Sequence, residues 1–192
     1  MSDGSLRYDA IFEGIFKSEV LLDYDISRIT ENKIRICLKY VLYTHSYTKS
    51  EKQYIIDFAN NFMDGRNIRD GISKKRKCKH CKNMVIAKSF CEVCMRNYLT
   101  KKFDSWTSGN EEIDQLIQNF QKRSLNPRNI VEWIPYEKFS DIEYKTEGGY
   151  AKIYTANFKD GPYLKWNSKK LRLERSGDHP IVLKELRKTN AR

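Results

Sequence analysis

Two stretches in the first third of the chain carry apolar residues at helical spacing. Ile34, Leu38, Val41 and Leu42 fall at i, i+4, i+7 and i+8, one face of a helix that starts at Thr30. Cys37 lies on the same stripe and reads as a core residue. Thr48-Lys49-Ser50-Glu51 is a capping box, in which the Thr oxygen and the Glu carboxylate each satisfy a first-turn amide; Ile55, Ala59 and Phe62 then continue a second helix. The two are expected to pair as a helical hairpin. Asp64-Gly65 and Asp70-Gly71 interrupt the pattern. A third helix is predicted from the cap Ser108-Gly109-Asn110 through Ile113, Leu116, Ile117 and Phe120 to about Arg123. Residues 1–29 hold Tyr8, Phe12 and Phe16 without a period, and no element is predicted there.

From Val131 the period shifts toward two, in short runs split by Gly, Asp and Pro. Ile142 to Lys145 predicts a strand, Thr146-Glu147-Gly148-Gly149 a turn, and Ala151 to Phe158 a returning strand. Asp160-Gly161 and the run Tyr163 to Arg175 suggest an inserted hairpin, with Trp166 and Leu173 as packing partners. Ile181 to Lys184 predicts a further strand, Val182 and Lys184 on one face and Ile181 and Leu183 on the other. The expected class is α+β: a helical region over 1–71, a four-cysteine knuckle over 72–103, a helical linker over 104–130 and an antiparallel β segment over 131–192.

With 192 residues the chain suits one ordinary domain or two small ones. Charged residues make up 32%, and no run approaches the roughly 18 apolar residues of a membrane span. The start Met1-Ser2-Asp3-Gly4 is neither a signal peptide nor a myristoylation signal, so a cytoplasmic or nuclear home without membrane contact is expected. Net charge is +11, and Arg66 to Lys102 holds twelve Lys or Arg against two acids, a net of +10 in one module. Lys74-Lys75-Arg76-Lys77 reads as a solvated linker, with a nuclear localisation signal as the other reading.

That basic module contains Cys78-x-x-Cys81, nine residues, then Cys91-x-x-Cys94. Two such knuckles let four thiolates converge on one ion, the arrangement zinc takes in closed structural sites; a redox pair or unliganded thiols are the alternatives. Four thiolates around a divalent ion leave about −2, which Lys77, Lys79, Lys82 and Lys88 would balance. His80 sits inside the first knuckle as a bystander, because four sulfurs already complete the shell. Nucleic acid is a second reading of the charge, although only Phe90 and Tyr98 interleave with the cations, which is thin for base stacking.

The glycine turn followed by the lysine strand resembles the protein kinase Gly-x-Gly-x-x-Gly-x-Val loop and Val-Ala-Ile-Lys strand. Trp106 to Asn110, Ile113-Asp114, Glu132 to Tyr136 and Gly148 to Ala156 are similar to the tyrosine-kinase-like protein kinases expanded in arbuscular mycorrhizal fungi, which carry a four-cysteine knuckle upstream of the kinase domain. The likeness runs from about Thr48 to the C-terminus. It implies that the β segment is a partial kinase N-lobe, with Thr146, Glu147, Gly148, Gly149, Tyr150 and Ala151 over the ATP phosphates. Ile153 and Val182 would hold the adenine, and Lys184 would contact the α and β phosphates. Thr146 stands where the first loop glycine would be, Ala151 where the third would be, and Val182 where alanine is usual. The His-Arg-Asp catalytic loop and the magnesium-holding Asp-Phe-Gly are absent, so a truncated, kinase-like ATP-binding chain is expected that is inactive by itself. Structural zinc, ATP with magnesium and a protein partner or substrate are the implied companions. The alternative is a zinc-dependent adaptor that binds protein or nucleic acid.

Overall fold

The computed structural model describes residues 31–186 together with Arg7, Ala10, Ile11 and Glu13. Its chain divides into two compact units, one comprising Met1–Arg76 with Ile86–Ser89, the other Lys77–Val85 with Phe90–Arg192. Together they give a mixed α+β protein with antiparallel sheets.

The first unit is built on helices α1 (Glu31–Thr44) and α2 (Lys49–Asp70). Val41, Tyr47 and Ile55 are buried together with Ile11, so the expected hairpin forms and gains a residue from the region that showed no period. Cys37 is buried on α1, as its place on the stripe implies. The capping box is complete: Glu51 N–H donates to Thr48 Oγ1 at 3.2 Å and Thr48 N–H to Glu51 Oε2 at 2.8 Å. Glu51 also takes the Arg7 guanidinium, Nε at 2.8 Å and a terminal nitrogen at 2.7 Å, which ties Arg7 to the start of α2.

One break predicted in α2 does not occur. The helix runs through Asp64-Gly65 and stops at Asp70, where Gly71 caps it in the left-handed region at φ 66°. Asp64 does not compete with its own backbone because its carboxylate is engaged elsewhere: it accepts from Lys88 N–H and Ser89 N–H, both at 2.7 Å, and from Ser89 Oγ. With those bonds made, a buried carboxylate inside a helix costs little.

Strands β1 (Arg76–Lys77) and β2 (Met84–Val85) flank the first cysteine pair, and α3 (Glu92–Thr100) of the second unit opens on the second pair. Helix α4 (Glu111–Lys122) starts at the predicted cap, Asn110 Oδ1 accepting from Glu112 and Ile113, and is C-capped by Arg123. Only Ile117 of its apolar stripe is buried; Ile113, Leu116 and Phe120 are exposed.

The residues from Val131 to Pro135 are irregular, and the sheet begins at Phe139. Strands β3 (Phe139–Glu147), β4 (Ala151–Phe158) and β7 (His179–Leu186) form an antiparallel sheet in the order β3-β4-β7. The inserted hairpin is present as β5 (Tyr163–Asn167) and β6 (Arg172–Arg175), with Trp166 opposite Leu173 and both buried. Glu132 accepts two bonds from Arg175, whose guanidinium lies 3.8 Å from the Tyr163 ring centroid. This half-buried pair fastens the irregular segment to β6 and explains a charged residue beside Trp133.

Candidate metal centre

Cys78 and Cys81 sit on the tight connection between β1 and β2. Cys78 N–H donates to Asn83 O at 2.8 Å and Lys82 N–H to Cys78 O at 3.1 Å, a turn that Lys82 completes at φ 63°. Cys91 is the N-cap of α3 and Cys94 lies in its first turn, where Cys94 N–H donates to Cys91 Sγ at 3.3 Å. A hairpin turn and a helix start thus face each other, each offering two sulfurs.

All four sulfurs lie within 4.8 Å of one another. Sγ of Cys78 is 3.8 Å from that of Cys94, and Sγ of Cys81 is 3.7 Å from that of Cys91. Disulfides need sulfurs about 2.05 Å apart, so these are free thiols. A tetrahedron of sulfurs around zinc, with Zn–S about 2.3 Å, has edges of about 3.8 Å, and both distances match it. The four cysteines therefore fit a single tetrahedrally bound metal ion.

Their proton affinities divide by element. Burial opposes ionisation of Cys78, yet the N–H groups of Cys81 and His80 outweigh it and bring the thiol down to about 6. Cys81 is lowered too, Asn83 overcoming the burial. Burial pushes Cys91 up to about 11, and raises Cys94 further with help from the neighbouring sulfurs. The thiolate form is thus favoured at the turn and opposed at the helix start, and a cation held by all four sulfurs would release protons from the latter. His80 contributes its backbone N–H, 3.4 Å from Cys78 Sγ, and its ring stays exposed.

The residues expected to contact nucleotide lie on the three-stranded sheet. Thr146 and Glu147 are not in the turn; they end β3, paired with Ile153 and Lys152 across a bulge that absorbs Lys145. Gly148, Gly149 and Tyr150 make the connection, closed by Gly148 N–H donating to Ala151 O at 2.9 Å, and Tyr150 is 85% exposed. In the β4–β7 register Ile153 faces Lys184 and Thr155 faces Val182, so these four side chains share one face of the sheet. Val182 and Lys184 are exposed, and Lys184 has no ion-pair partner among the described residues. Glu185, on the opposite face, accepts from Tyr154 Oη at 2.8 Å.

Sequence reasoning missed two features. The Asp64 clamp on residues 88 and 89 has no local signal, because its partners lie 24 and 25 positions away. A cleft of about 450 Å³ beside the cysteines, lined by α3 and the β5–β6 hairpin, needed the tertiary fold to bring Tyr98 and Trp166 together. Among the described residues, no helix is long and apolar enough to cross a membrane. Comparison with family models, curated proteins and solved structures finds no match to this chain.

Proposed function

We propose that Cys78, Cys81, Cys91 and Cys94 hold one structural zinc ion, and that the β3-β4-β7 sheet is a nucleotide-binding edge of the protein kinase type. Four sulfurs close the metal's shell and leave no position for water or substrate, so the ion's role is to fix the fold. ATP is the proposed ligand of the sheet. Its phosphates would lie over Gly148 and Gly149, its adenine against Ile153 and Val182, and its α and β phosphates within reach of Lys184.

The observation that carries this reading is the register of β4 against β7. It sets Lys184 beside Ile153 and Val182 one pair further along, on an open face that the glycine connection borders. Neither Gly148 nor Gly149 has a positive φ, and a Cβ on either would touch nothing within 4 Å. The sheet itself therefore makes no demand for glycine there, whereas a phosphate lying on the backbone would.

Phosphoryl transfer needs a base and a magnesium-holding aspartate that are not among these 192 residues, so the proposed activity of this stretch is binding. A protein partner or substrate would be recruited by the kinase to which the edge belongs. Calorimetric titration with magnesium-ATP provides the test: wild type is expected to bind, and Lys184→Ala to weaken binding roughly tenfold, the usual loss of a charge-assisted phosphate contact. Wild type that does not bind, or a Lys184→Ala variant that binds equally well, would overturn the reading.

A further inference from the structure

The cleft next to the metal centre lies apart from the sheet face just described, and its lining is of a different kind. Tyr98 of α3 and Trp166 of β5 meet edge to face, ring centroids 5.8 Å apart, and both line it. Leu171, in the β5–β6 turn, lines it as well. Asn97, exposed on α3, offers an amide with both donors and an acceptor.

Cations stand around these rings. Lys101 lines the cleft and Lys102 holds its Nζ 4.5 Å from the Tyr98 centroid; both are exposed at the end of α3. Lys79 and Lys82 of the knuckle are exposed as well, and neither has an acidic partner among the described residues. A half-buried tyrosine ring for stacking, an amide for a base edge and adjacent lysines for phosphates are elements from which single-stranded nucleic acid sites are made. An acidic peptide would use the lysines but leave the open part of the Tyr98 ring and the amide without a role.

We propose that this cleft seats an unpaired base of a single-stranded nucleic acid, stacked on Tyr98 beside Trp166, with Asn97 on its edge and Lys101 and Lys102 on the flanking phosphates. At about 450 Å³ the space exceeds one nucleoside and falls in the range of pockets that bury a small ligand. Cys81 and Cys94 also line the cleft, so the seat adjoins the zinc centre proposed above and rests on that reading.

Fluorescence anisotropy with a labelled ten-nucleotide RNA of mixed sequence, on the zinc-loaded full chain at two salt concentrations, tests this. Wild type binds and weakens steeply with salt; Tyr98→Ala loses roughly tenfold and Tyr98→Phe retains affinity, because stacking needs the ring and not the hydroxyl. Lys101→Glu with Lys102→Glu, shown to be folded by its circular dichroism, lowers affinity and cuts the salt slope by about 1.4, two phosphate contacts on a single strand at about 0.7 each. RNA binding unchanged by Tyr98→Ala and by the lysine reversal overturns the assignment, as does no binding at all. Adenosine monophosphate displacing the RNA at the same concentration as the unlabelled oligomer overturns the strand in favour of a mononucleotide. Lys184→Ala leaves RNA binding unaltered, which separates this site from the sheet edge; loss of RNA binding in that variant overturns the cleft.

Discussion

Gly161 and Gly148 are glycines for opposite reasons. At Gly161, φ is +65° and a Cβ would lie 2.0 Å from both Gly177 O and Ser176 Oγ, an overlap with backbone that no rotamer relieves. Gly161→Ala is therefore expected to destabilise the second unit by roughly 3 kcal/mol or more, read as a lower urea midpoint in tryptophan fluorescence. Gly148 has open space and an ordinary φ, so Gly148→Ala should alter stability by no more than about 0.5–1 kcal/mol while weakening magnesium-ATP binding. A Gly148→Ala protein that unfolds like Gly161→Ala would mean that the turn, not a phosphate, requires glycine there. Sequence alone sees two Gly-containing turns; the difference rests on φ and on atoms from residues 176 and 177, which sequence spacing does not report.

At the scale of single elements, the helices were the most legible part, because their ends are set by local chemistry. The Thr48–Glu51 box and the Asn110 cap start α2 and α4 where the sequence places them. The errors came where a distant partner intervened: Asp64-Gly65 reads as a stop, but the carboxylate is bonded to Lys88 and Ser89 and the helix continues. Thr146 and Glu147 read as turn because a bulge at Lys145 shifts the register by one, which alternation cannot reveal. Glu51 carries a pH signature of its own. The hydrogen bond from Arg7, then backbone donors, hold its carboxyl at about 2 against an ordinary 4.5. A depressed folded value means that the stabilisation is complete above about pH 5 and drains away as pH falls toward 2. Helical circular dichroism of the wild type should fall across that window, and Glu51→Gln, already without the charge, should show a lower and flatter profile. Parallel acid transitions in both proteins would exclude the Arg7–Glu51 pair as the cause.

For the whole molecule, the excess charge and the metal centre belong to one argument. The segment from Arg66 to Lys102 carries a net +10 and contains all four sulfurs. The four-sulfur cluster was readable from two Cys-x-x-Cys pairs alone, since each pair needs only a turn or a helix start to aim its sulfurs. The cleft beside it was not, because Trp166 comes from a hairpin 68 residues after Tyr98. Burial raises Cys91 and Cys94, so if zinc is held as proposed, chelation should return protons to these sulfurs and loosen the link between β1, β2 and α3. Native mass spectrometry of the full chain, purified with zinc under reducing conditions, reads this directly. One zinc ion per chain is expected, lost on chelation together with cooperative unfolding of the second unit, and absent from Cys78→Ser with Cys94→Ser. A chain that carries no metal and melts identically with and without chelator would contradict the centre on which the fold of that unit is argued to depend.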